Sequence, residues 1–342
     1  LAVKINRQMN SVVLLGVPTS AASLIPGHER GPAAWRAAGL ADRLREAGFA
    51  VTDNGDCTER VFAPDDEHPR ARNVAQVLAS LEELRPKVEL AVKSAALPIV
   101  LGGDDSSVLA VIAGCRRYYR HVGLIYFDRD AGLNEPATTP SGCIDGMVIS
   151  HLIGRGAPEL VRFWGEPPLV REHEIALMGT ARIDEPEQQL LSRSLLRRYP
   201  ASDIARKGAA ASALEAAERV HGLRNEFVLH IDLDVIASED FAATNLAAPG
   251  GLRWQEIDEA LSVLARQPNL AALVISAYNP ALDSDGAAAR RFINLLVKAL
   301  AGRMAPAEPE SAEQSSPSEV VHASPDEESA ASDDPSSSTS AG

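Results

Sequence analysis

Aromatic side chains are scarce in this sequence, only 4% of 342 residues, and cysteine occurs three times. The first shortage excludes a core organised around large rings, so the 45% of hydrophobic residues must pack mainly as Ala, Leu, Val and Ile. The second excludes a disulfide frame or a zinc knuckle, because Cys57, Cys115 and Cys143 are odd in number, widely spaced and form no CxxC pair. They read as buried thiols. Long apolar runs are missing too: none approaches the ~20 residues needed to cross a bilayer. The early SVVLLGVPTS is too short to span and lacks a small-residue cleavage pattern, so it reads as a first strand and not a signal peptide. A soluble, cytoplasmic protein without membrane partners is expected. Also absent are GxSxG, a Walker loop, HExxH, and GxGxxG after a strand.

Basic residues are lacking from the last stretch, 304–342, which holds nine Asp or Glu. Of the formal charge of −14, the body before it therefore carries only −5, which argues against a general nucleic-acid binder and says little else. The stretch itself is Ser, Pro, Ala and acid. It cannot bury enough surface to offset its ordering entropy, so 304–342 is expected to be a disordered acidic tail on a single domain, 1–303. Inert solvation and acidic docking are both open roles for it.

What the body does contain is an alternation of apolar strand-length runs with amphipathic helical stretches. SVVLLGVP, AVTDNGD, LPIVLGGDDS, HVGLIYFDRD, EIALMGT, EFVLHIDLD and LAALVISAYNP read as strands, with helical patterns such as NVAQVLASLEELRPKVELAVKSA and WQEIDEALSVLARQ between some of them. Continuous apolar strands of this kind imply an α/β fold with a largely parallel sheet covered on both faces. Ligands in such a sheet gather at the carboxyl ends of the strands. There the chain places Asp104 and Asp105, then Asp128 and Asp130, then Asp232 and Asp234. Any one of these could merely cap a helix or order a loop. Two Asp-x-Asp pairs on neighbouring strands would surround one point, where bare carboxylates repel unless a proton or cation intervenes. An all-oxygen ligand set favours magnesium, manganese or calcium over zinc.

In order and spacing, GPAAWRAAGL, PIVLGGDDS, YFDRDAGLN, SGCIDGM, HIDLDVI, PGGLRW and AYNP resemble the landmarks of the arginase and agmatinase superfamily, the ureohydrolases. The resemblance covers Ser11 to Arg303. It implies a three-layer α/β/α arginase-type fold, a binuclear manganese site, hydrolysis of a guanidino group to release urea, and a homo-oligomer, trimeric or hexameric. Carried over by position, the family's GGDH histidine is Asp105 here, and the Asp, His and Asp of DAHGD become Asp128, Asp130 and Gly132. The DVD pair survives as Asp232 and Asp234. The proton-shuttle histidine is Asp145, and the glutamate of EVNP that holds the guanidinium is Ala277. Asn134 and Ser141 match the positions facing a substrate α-carboxylate, and Asp184 the position facing its α-amino group; this pattern leans toward arginase. Each of these three could equally order a loop.

By that correspondence, the first metal would keep Asp105, Asp128 and Asp232, and the second Asp128, Asp130, Asp232 and Asp234. One divalent cation, manganese or magnesium, is thus expected over two, and none if the site has decayed. Arg129 could neutralise its flanking acids or point away. His230 shares a strand face with Asp232 and could replace a lost ligand or simply pack; Cys143 reads as packing. Two functions follow as expectations. One is an arginase-derived protein without ureohydrolase chemistry that keeps amino-acid binding or an assembly role. The other is a divergent metal-dependent hydrolase of an amidine, guanidino or amide C–N bond.

Overall fold

The computed structural model describes residues 10–221 and 225–304. Beyond Met304, the acidic tail expected over 304–342 lies outside the described residues. Among those residues, the strands are β1 (Ser11–Gly16), β2 (Ala50–Asp56), β3 (Leu97–Leu101), β4 (Val122–Phe127), β5 (Ile175–Met178), β6 (Arg197–Tyr199), β7 (Glu226–Asp232) and β8 (Leu270–Ser276). They form one sheet in the order β2-β1-β3-β8-β7-β4-β5-β6, and every neighbouring pair is parallel. The central strands β3, β4 and β8 are buried along their whole length, as their unbroken apolar runs require. The edges differ: β2 is polar and mostly exposed, and β6 is only three residues long with two arginines, both habits that discourage further strand pairing.

Alternation along the strands feeds two cores. Leu14, Ile99, Ile125, Phe127, Leu229 and Ile231 face one side, where they pack with Trp35 and the helices Ala209–His221, Trp254–Leu264 and Ala287–Ala301. Leu15, Val100, Leu124, Tyr126 and Val228 face the other, against the helices Val74–Lys93 and Ser107–Cys115. The result is the three-layer α/β/α arrangement. Small residues make up for the missing aromatics: Ala209, Ala213, Ala216 and Ala217 bring a helix close to the sheet, and a Cβ on Gly123 of β4 would lie 2.2 Å from Val220. No helix among the described residues is long and apolar enough to cross a membrane.

The path of the chain creates the cleft. After β3 it skips two places to β4, and β7 and β8 later fill the gap. The carboxyl ends of β3, β8, β7 and β4 therefore lie side by side where the winding reverses, the usual ligand position in open α/β sheets.

Candidate functional site

A cavity of about 440 Å³ opens over those four strand ends, and Asp105, Asp128, Asp130, Asp145, Asp232 and Asp234 all line it. Asp104 does not. Its carboxylate turns inward to accept from the Ala22 backbone N–H and from Ser106, which makes it a loop anchor. The loop can lie this close because residue 103 is glycine: a Cβ there would sit 1.8 Å from the Thr19 carbonyl oxygen.

Simple strand alternation does not aim the two Asp-x-Asp pairs, because Asp128 and Asp130 both lie beyond the end of β4 and Asp232 and Asp234 straddle the end of β7. Asp128 Oδ1 accepts the Asp130 N–H at 2.6 Å, and Asp232 Oδ1 accepts the Asp234 N–H at 2.6 Å. These tight side-chain turns bend the chain so that both pairs still converge. Oxygens of Asp105, Asp128 and Asp232 lie within 4.8 Å of one another, and so do oxygens of Asp128, Asp130 and Asp234; either set could hold a cation. Asp234 Oδ1 is buried with no hydrogen-bond partner.

Two of these acids are already engaged by other side chains. Asp105 Oδ1 accepts a short hydrogen bond from Ser276 at the end of β8 and lies 3.2 Å from His230 Nε2; Oδ2 accepts from Tyr126 at 3.3 Å. His230 is fully buried and stacked on Tyr126, so it is a packed strand histidine that also contacts a site acid. Asp130 is held by both arms of Arg182, with Nε at 2.6 Å and a shorter contact from Nη2. The neutralising arginine is therefore Arg182 and not Arg129, whose buried Nε has no partner.

Burial, followed by the neighbouring carboxylates, pushes Asp128, Asp145 and Asp232 well above the ordinary carboxyl range, and Asp234 up to about 7. Asp105 runs the other way: despite its burial, His230 and Ser276 hold it below that range. Gly132 adds no ligand. Its φ of +62° is left-handed, and Ile149 lies 3.3 Å from where a Cβ would stand.

Asn134, Ser141 and Asp184 all reach the cavity, and each also orders its own loop. Asp184 caps the helix Glu185–Leu191 by accepting the Glu187 N–H at 3.2 Å, and its other oxygen accepts from Asn134 Nδ2 at 2.8 Å. Ser141 Oγ accepts from the Cys143 N–H at 3.1 Å. Cys143 Sγ donates to the Ala22 carbonyl, and burial raises its thiol far above the usual range, as fits packing. Asp145 faces the cavity, but both its oxygens are engaged, by the Asp105 N–H and by Ser23 Oγ.

The arginase family model matches residues 10–302. The chain belongs to the arginase family. The arginase of Bacillus subtilis is 29% identical over 300 residues, covering 86% of this chain and 98% of that protein, and the arginase of Bacillus caldovelox is 28% identical over 279 residues, covering 80% and 93%. The crystal structure of arginase from Bacillus cereus superposes with a TM-score of 0.79 at 28% identity, covering 85% of this chain and 98% of that one. Within this ureohydrolase fold, sequence reasoning missed Arg182, Ser276, Tyr126 and His28. Arg182 had a usable signal: it sits two residues before Asp184, where the β4–β5 ladder continues as a bridge between Asp130 and Arg182.

Proposed function

We propose that this arginase-family protein binds a small cationic ligand of amino-acid size in the strand-end cleft and does not carry out two-manganese guanidino hydrolysis. The observation that carries this reading is the engagement of two acids by protein groups: Asp105 by His230 and Ser276, and Asp130 by Arg182. A ligand oxygen so occupied must give up good hydrogen bonds before it can bind a metal. Gly132 and Ala277 supply no carboxylate, and Asn134, Ser141 and Asp184 remain along the cavity wall to meet the ends of an amino acid.

One hard cation fits what is left. Asp128 and Asp234, which cluster with the arginine-held Asp130, would hold magnesium or manganese, with the unpartnered Asp234 Oδ1 as a ready acceptor. A cation there would offset the mutual repulsion of the acids and polarise a ligand oxygen. That orphaned oxygen also favours a second reading, a divergent single-metal hydrolase of a C–N bond. Assembly as a trimer or hexamer in the cytoplasm belongs to the same proposal and rests on the family resemblance.

The test is urea release from L-arginine by protein dialysed against manganese. No release above background is expected. Manganese-dependent release would overturn the proposal, and turnover of another amidine or amide without urea release from arginine would favour the second reading.

A further inference from the structure

Three large apolar side chains stand around the mouth of the strand-end cavity. Leu24, Ile25 and Leu246 all line it and are 45%, 48% and 49% exposed, whereas Asp128, Asp232 and Asp234, which also line it, are no more than 5% exposed. The cavity is therefore amphipathic along its depth, with acids at the strand ends below and aliphatic groups where it meets solvent. Eight large hydrophobic side chains are exposed among the described residues, and only these three border the cavity. Exposed apolar residues scattered singly need no explanation, but three converging on one opening do.

The two loops that carry them are tied to each other. Asn245 Nδ2 donates to the Ile25 carbonyl at 3.0 Å, and Asn279 Nδ2 donates to Asn245 Oδ1 at 2.7 Å. Asn279 is itself fixed, since its N–H donates to the Ala243 carbonyl at 2.8 Å and its Oδ1 accepts the Ala281 N–H at 3.0 Å. Contact is so close that a Cβ on Gly27 would lie 2.3 Å from Asn279 Nδ2. The apolar mouth is thus formed in advance, and a ligand that covers it need order little of the protein.

Whatever covers the mouth must also suit the acids below. A wholly apolar occupant would strip water from those carboxylates without pairing them. A free amino acid is charged at its outer end and would leave the aliphatic groups bare. The volume of about 440 Å³ lies within the ~300–1,000 Å³ of pockets that take ligands with several functional parts. Resting on the reading that the cleft takes a small cation, we propose that this ligand is amphiphilic: its cationic nitrogen meets the acids at the strand ends, and an uncharged aliphatic or aromatic arm lies against Leu24, Ile25 and Leu246.

The probes are L-ornithine and a series of n-alkylguanidines, ethyl, butyl and hexyl, titrated calorimetrically into the full chain. Affinity should rise about two- to four-fold for each methylene added, as expected for a chain covered on one side or fully. Leu24→Ser combined with Leu246→Ser, both at half-exposed positions that bear little on folding, should flatten that rise. Wild-type affinity that ignores chain length, or alkylguanidines that fail to bind where L-ornithine does, would overturn the amphiphilic ligand alone. So would a double variant with a wild-type circular dichroism spectrum that keeps the full rise. The wild-type series decides the question by itself if the variant does not fold. If neither L-ornithine nor any alkylguanidine binds, the cleft reading and this inference fall together.

Discussion

His230 Nε2 lies 3.2 Å from Asp105 Oδ1, and the His230 ring stacks on Tyr126 with centroids 4.4 Å apart. Three strands thereby lock one acid, since His230 comes from β7, Ser276 from β8 and Tyr126 from β4. His230→Ser should leave Asp105 buried and short of a partner, at a cost of ~3–5 kcal/mol typical of breaking a buried pair. Manganese should recover part of that loss by binding the released carboxylate. Urea unfolding in chelator and in manganese checks both parts; a variant as stable as wild type in chelator would contradict the assignment.

The Arg182–Asp130 pair is a different case. With the arginine side chain 57% exposed, it should contribute only ~0–1 kcal/mol to stability. Arg182→Ala should therefore melt close to wild type while binding divalent cation more tightly, by roughly ten-fold or ~1.4 kcal/mol, because a positive charge leaves and a carboxylate is freed. Calorimetric titration with manganese decides this, and unchanged or weaker affinity would mean that Asp130 takes no part in a cation site.

The buried acids also set a pH dependence for metal-free protein. Burial raises Asp104 to about 6 and Asp234 to about 7, with Asp128, Asp145 and Asp232 well above the ordinary value. A raised acid binds its proton more readily when folded, so stability is lost as pH climbs from ~4, the unfolded carboxyl value, through 6 and 7. His28 and His151 oppose this: burial lowers both to about 4, and their contribution is lost as pH falls from ~6.5 toward 4. Above neutrality the histidines have stopped titrating, while Asp234, Asp128, Asp145 and Asp232 still lose protons. In chelator the protein should melt higher at pH 6 than at pH 8, and millimolar magnesium should narrow the gap. A melting temperature that rises from pH 6 to pH 8 in chelator would refute this.

Much of this molecule could be read from the chain because its central strands are continuous apolar runs ending in acid. GLIYFD, LHID and PIVLGGDD announce both a buried parallel sheet and the edge where ligands meet. Strand β6 was not legible, since Arg197, Arg198 and Tyr199 carry no strand pattern and pair only because β5 lies beside them. The pairings inside the site were hidden for a related reason. His230 meets Asp105 across 125 positions of sequence, a relationship that strand order creates and local spacing does not encode. Asp104 and Asp105 are adjacent in sequence, yet one anchors a loop and the other faces the cavity, which depends on the close approach of Gly103 to Thr19.

Rebuilding the family ligands tests whether the missing chemistry resides at these positions. Asp105→His, Asp130→His and Gly132→Asp together should raise manganese binding. The last change carries ~1 kcal/mol of strain from its left-handed backbone, plus the need for Ile149 to shift. Turnover should stay poor until Ala277→Glu and Asp145→His are added, because a missing buried charge contact costs ~2–5 kcal/mol, or roughly 30- to several-thousand-fold in rate. Urea release from L-arginine by the triple and five-fold variants is the measurement. A five-fold variant that binds two manganese ions yet ignores arginine would contradict the assignment of the lost chemistry to these five positions.

Whether His230 and Arg182 keep Asp105 and Asp130 from a pair of metal ions is decided by manganese stoichiometry from elemental analysis. Wild-type protein would be dialysed against manganese at pH 8 and freed of excess by gel filtration. No more than one manganese ion per chain is expected; two per chain would show that neither His230 nor Arg182 keeps its acid from a metal.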